Sequence, residues 1–268
     1  MIPYKSVLGI GYILLGVATA IQLILPITLS YVYPFKPNIT QLTTASIGAA
    51  GAGVFSLILF AFALILVSIG WIIFGRSAND NLWTVTGIVG ILFIAFSIAT
   101  LASLIYSLTL LSSMAIHKTA GAAHNITNIS PTVMAKYLPL FIEVYILAIL
   151  AIVFGATFTI NQISSLWTAG SKFRAVSLKA SAILQILSIV VSILLIPIFI
   201  STFFASASSI LNYQALTGGS INIKSAASIV YPLGLASTLY WLMLLSNVLS
   251  MASYFIAGAA ILTLKPKA

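Results

Sequence analysis

"ASIGAAGAGVFSLILFAFALILVSIGWIIF", residues 45–74, runs without a single charged side chain and is followed at once by the polar "GRSANDNL", residues 75–82. About 20 apolar residues carry a helix across a hydrocarbon core, whereas a barrel strand needs roughly 9 to 11. The run is longer than either and lacks the strict alternation of a strand, so it reads as a helix. "GRSANDNL" then reads as a tight turn into a second helix. Arg76 marks the side of the membrane on which the turn lies, and Asp80 or Asn81 is placed to cap the helix that follows.

The same composition extends along the whole chain. Of its 268 residues 61% are hydrophobic and only 5% charged, and the mean hydropathy is +1.20. Water-soluble domains carry about 25% charged residues, so the expected solvent here is lipid. A backbone in lipid must bond to itself, which leaves helices or closed barrels, and the run lengths select helices. Six spans follow, at Val7 to Leu29, Ala45 to Phe74, Trp83 to Met114, Tyr137 to Ile160, Ala180 to Leu211 and Ile229 to Leu264. The loops between them leave no room for a soluble domain. The expected fold is therefore all-α, a single polytopic transmembrane helix bundle over residues 1–268. Lys5, an apolar stretch and Ala18-Thr19-Ala20 imitate a signal peptide, but apolar sequence continues to Leu29, so the segment is read as the first span.

An even number of spans puts both termini on one side. That side collects Lys5, Arg76, Lys172, Arg174, Lys179, Lys265 and Lys267, against Lys36, Lys118, Lys136 and Lys224 on the other. The excess of Lys and Arg on cytoplasmic loops places the termini inside. All three Asn-x-Ser/Thr sequons, at Asn38, Asn125 and Asn128, then fall outside, where glycosylation occurs. Lys172, Arg174 and Lys179 follow Trp167 in what reads as the longest inside loop, an arrangement suited to anionic lipid headgroups. The net charge of +9 is read as topology signal and headgroup contact rather than as a nucleic-acid surface. "WIIFGRSANDNLW" from Trp71 and "WTAGSKFRAVSLK" from Trp167 share a Trp, a Gly and a basic residue, and this is read as what two cytoplasmic turns have in common rather than as a duplication.

Chemistry-bearing residues are few. With no cysteine, two histidines and two acids, the chain holds no phosphate-cradling loop, carboxylate pair, Ser-His-Asp set or zinc spacing, so neither an enzyme mechanism nor a metal site is expected. His117 and His124 fall in one loop and outside every span, which argues against haem, and no cofactor is expected on this chain. Glu143, in "YLPLFIEVYILAIL", is the one acid inside a span, with two readings: a hydrogen bond to a neighbouring helix, or a proton or cation site. Gln22, Gln185 and Asn247 are also inside spans, where an amide more often bonds helix to helix. Small residues such as Gly9, Gly11 and Gly16, or Gly48 with Ala52, let helices approach closely.

"LWTAGSKFRAVSLKASAIL", residues 166–184, resembles functionally uncharacterised multi-span membrane protein families of archaea in its aromatic, Gly, Lys, aromatic order followed by a Lys-containing helix start. The resemblance implies an archaeal plasma membrane and no assigned activity. Composition and resemblance together lead to the expectation of an accessory, non-catalytic integral membrane subunit of a larger complex. A respiratory complex, whose other subunits would hold the cofactors, is one candidate. The expected partners are the lipid bilayer and other membrane subunits, not nucleic acid. The alternative is a small proton- or cation-coupled transporter or channel using Glu143.

Overall fold

The computed structural model describes residues 3–32, 39–119, 131–217 and 233–264. They form α1 (Pro3–Val32), α2 (Ile39–Ala78), α3 (Asn81–Thr119), α4 (Pro131–Lys172), α5 (Val176–Thr217) and α6 (Leu233–Thr263). All six are long and apolar enough to cross a membrane. The first five helices run past the apolar segments that predict them. The 42 residues of α4 rise about 63 Å at ~1.5 Å per residue, roughly twice a hydrocarbon core.

The extension of α4 corrects one expectation. Residues 161–179 read as a long loop because Asn161, Gln162 and several serines interrupt the hydrophobic pattern, yet α4 continues through them to Lys172. Polar residues do not stop a helix whose backbone bonds to itself and whose neighbours accept their side chains. What remains of the loop is the turn at residues 173–175. His117, also expected in a loop, lies within α3.

Two turns join consecutive helices with one backbone geometry. At the end of α2, Asn79 takes a left-handed φ of 50° and Arg174 does the same after α4, at 55°. The Asp80 N–H donates to the Gly75 carbonyl at 2.9 Å and the Asn79 N–H to Arg76 at 3.4 Å; Ala175 to Gly170 and Arg174 to Ser171 repeat both bonds at the same lengths. This is the Schellman closure, which returns the last carbonyls of a helix to N–H groups just beyond it. After the first turn, the Asp80 carboxylate accepts from the Leu82 N–H at 3.1 Å and caps α3, as the sequence suggests.

A single constant offset relates the turns and also relates burial. It carries buried Trp71, Phe74, Trp83, Thr86 and Gly90 onto buried Leu166, Ala169, Leu178, Ser181 and Gln185. The two hairpins therefore share more than the composition of a turn, and the pairing of Trp71 with Trp167 is out of register by one residue. Trp71 is fully buried, whereas Trp167 is 47% exposed.

The chain divides into two compact units. The first comprises residues 1–8 and 64–165. Its core gathers an aromatic cluster beside the first turn, with Phe74 stacked on Trp83 at 4.4 Å and Trp71 at 6.2 Å from Trp83. Phe93 and Phe96 of α3 stack on Phe158 and Phe154 of α4, and Thr86 bonds Ser165 at 2.8 Å. These pairings run in opposite directions along the two helices, so α3 and α4 are antiparallel.

The second unit comprises residues 9–63 and 166–268. In it α1 meets α6 almost backbone to backbone. A Cβ on Gly258 would stand 2.8 Å from the Gly9 carbonyl oxygen, and one on Gly9 would stand 3.1 Å from that of Gly258. The expected use of Gly9 and Gly16 is thus met, Gly16 lying under the Phe255 ring. Gly258→Ala is expected to destabilise the protein by ~1–3 kcal/mol through overpacking. Gly51, with open space around it, is the control: Gly51→Ala should leave stability unchanged or raise it by ~0.5–1 kcal/mol. Thermal melting of both variants in one detergent checks the contrast. Asp80→Ala should cost about 0.5–2 kcal/mol in the same assay through loss of the cap.

Candidate functional site

Side chains that could bind or react are scarce, and those singled out by the sequence fall in both units. Glu143 lies in α4 on an exposed face with Ile142, Tyr145 and Ile146. It belongs to the first unit, while Gln22, Gln185 and Asn247 belong to the second. Among the described residues no three His, Asp or Glu side chains gather in a way that would hold a metal ion. Asn38, Asn125, Asn128 and His124 lie outside the described residues.

Lys172, Arg174 and Lys179 surround the second turn. Lys172 and Arg174 are exposed. Lys179 is half-buried, with its ammonium 5.4 Å from the centre of the Trp167 ring. Its stem runs over Gly170, so the glycine that helps close the turn also makes room for the lysine. A lysine laid over a tryptophan ring keeps its charged end free while its stem covers apolar surface.

The most organised polar feature lies in the second unit, between α5 and α6. Ser181 and Ser253 exchange hydroxyl-to-carbonyl bonds, each donating to the other's backbone oxygen at 3.0 Å. One helical repeat along, Ser188 donates to the Ser246 carbonyl at 3.0 Å, meets the Ser250 hydroxyl at 2.6 Å, and Ser192 meets the Ser246 hydroxyl at 2.8 Å. Ser181, Ser188, Ser246 and Ser253 are all buried. Because Ser181 meets Ser253 and Ser188 meets Ser246, the helices are antiparallel. Both pairs are separated by seven residues, the spacing that keeps one seam of a helix against its partner when the two coil together. Serine is small enough to bring the backbones close and polar enough to bond across the gap.

Gln185 lies on this seam. Positions 181, 185, 188 and 192 follow the 4-3-4 spacing of one helical face. The side chain is only 5% exposed, and neither its amide nitrogen nor its amide oxygen has a hydrogen-bond partner on the protein. The sequence brings Gln185 to attention as a lone amide in a span, but misses the serines around it. The missed signal is the recurrence of Ser every seven residues in two separate spans. Each serine alone is unremarkable, and only the pairing of the two helices gives the pattern meaning.

The seam offers hydroxyls and an amide and no titratable group, so it can hold helices together or bind a neutral hydrogen-bonding molecule. It supplies no side chain that changes charge near neutral pH. Both acids of the chain, Asp80 and Glu143, lie in the first unit. No family model, curated protein or solved structure matches this chain. Loss of the Ser188 bonds across the seam in Ser188→Ala should lower stability by about 0.6–2 kcal/mol. A double-mutant cycle of Ser188→Ala with Ser246→Ala, measured by denaturant unfolding in micelles, should show coupling, whereas pairing Ser188→Ala with Ser77→Ala should be additive.

Proposed function

We propose that the protein is a multi-pass integral membrane protein, its termini on the cytoplasmic side, that serves as a non-catalytic accessory subunit of a larger membrane complex. The observation that carries this reading is the exposure of Glu143 within an otherwise apolar face of α4. A carboxylate used to couple transport is expected to point into the interior of its own protein or into a water-filled path. One that points outward from an apolar face is open to a donor outside the chain, and we read that donor as a cationic or hydroxyl side chain on a partner helix.

The depth of Glu143 fits the same reading. If Trp167 sits at one headgroup boundary, as aromatic residues at helix ends tend to, the helical rise of ~1.5 Å per residue puts Glu143 about 36 Å away. That exceeds the ~30 Å hydrocarbon core. The carboxylate is then at the opposite boundary, close to the ends of partner helices and to headgroups. This placement weakens the alternative of a proton-coupled transporter, which would use an acid near the middle of the bilayer. Inside placement of Lys172, Arg174 and Lys179 gives the second turn anionic headgroups to meet, at about 1 kcal/mol per basic residue near the surface.

Extraction of the full chain from its native membrane in mild detergent, followed by native mass spectrometry, tests the proposal. The expected result is an assembly heavier than the 28.4 kDa chain, containing at least one further membrane subunit whose recovery falls in Glu143→Leu. A wild-type protein found only as a monomer or homo-oligomer would overturn it.

A further inference from the structure

We propose that Gln185 and the hydroxyls on either side of it form a buried binding site for one small neutral molecule that both donates and accepts hydrogen bonds, with water as the first occupant. The site is bounded along α5 by Ser181 and Ser188, whose partners on α6 are Ser253 on one side and Ser246 and Ser250 on the other. Gln185 therefore stands between two sets of hydroxyls, each tied across the helix pair. Its amide offers two N–H donors and an acceptor oxygen. Buried polar groups in folded proteins are nearly always bonded to protein or to ordered water, and a buried water needs two to four polar partners of the kind this seam supplies.

The packing of the hairpin does not demand an amide here. In the other hairpin the equivalent position is Gly90, also buried, with the Phe158 ring and the Ser68 side chain filling the space a side chain would take. A glycine suffices for a turn and a helix pair of this geometry. Glutamine at 185 thus adds an amide that the turn and the helix pair do not require.

Charge decides the class of occupant. A cation would satisfy the amide oxygen but face the N–H groups, and neither carboxylate of the chain lies in this unit to neutralise it. An anion would satisfy the N–H groups and leave the oxygen unbonded. A neutral donor and acceptor satisfies both ends at once. Gln185 lies nine residues beyond Val176, about 13 Å along α5 from the turn at ~1.5 Å per residue, so the occupant is held well inside the helix pair.

The full-length protein in lipid nanodiscs, labelled with nitrogen-15 at glutamine side chains, provides the test, using solvent water itself as the probe. The Gln185 amide signal, assigned by its loss in Gln185→Met, should receive magnetisation from water several-fold faster than the backbone amides of α5. Ser188→Ala should slow that transfer while the protein remains folded. Transfer no faster than to the backbone would overturn the site. Melting temperature gives an independent reading. Gln185→Met, similar in volume but apolar, should melt at the wild-type temperature or below, because the bonded amide carries no penalty to relieve. A rise of several degrees would reveal a dry, unbonded amide and overturn the proposal. A saturable shift of the Gln185 signal on adding sodium, potassium or chloride would show a charged occupant and overturn the neutral assignment.

Discussion

Every peptide N–H and C=O in a chain this apolar has to find a partner close at hand, and the α-helix provides one within the segment itself. That constraint sets the length of the helices as well as their existence. Once begun, α2 and α4 continue until a residue accepts a left-handed backbone and folds the last carbonyls back onto N–H groups beyond the end, as Asn79 and Arg174 do. Polar residues such as Asn161 and Gln162 do not interrupt α4. The connections at residues 79–80 and 173–175 are correspondingly short.

With apolar surface available everywhere, hydrophobicity alone gives little reason for one helix face to be preferred over another. Specific contacts come instead from steric fit and from hydroxyls. Gly9 against Gly258 sets the approach of α1 and α6, and the serines of α5 and α6 set the register of that pair. Thr86 and Ser165 do the same for α3 and α4 beside their stacked phenylalanines. A hydroxyl that bonds to a carbonyl on the next helix fails if that helix slides by one residue, whereas a leucine contact tolerates the shift. Small polar residues therefore do the work of specification that a buried apolar pattern does in water.

The readability of individual residues follows from how far their partners lie along the chain. Asp80 could be recognised as a cap because the N–H it bonds is two residues away. The use of Gly9 and Gly16 could be anticipated in kind, since small residues recur where helices approach, but not that Gly258 and Phe255 are what they meet. Glu143 could be seen to be unusual, while its outward direction depends on which side of α4 the neighbouring helices cover. The serine seam is not legible in the sequence, its two halves being separated by more than fifty residues. The shared geometry of the two turns was visible only in outline, because the composition of turns aligns Trp71 with Trp167 and the backbone bonds place them one residue out of step.

Composition and local pattern determined that the chain is helical, that its apolar segments are long enough to cross a membrane, and where the turn between α2 and α3 falls. These are properties of single segments, governed by hydropathy, by backbone bonding within a few residues and by capping. Tertiary structure alone decided which small residues touch, which direction Glu143 faces, and that Gln185 stands unbonded between hydroxyl pairs. Those depend on the rotation and register of one helix against another, and a face-independent apolar sequence carries almost no record of either until the helices are packed.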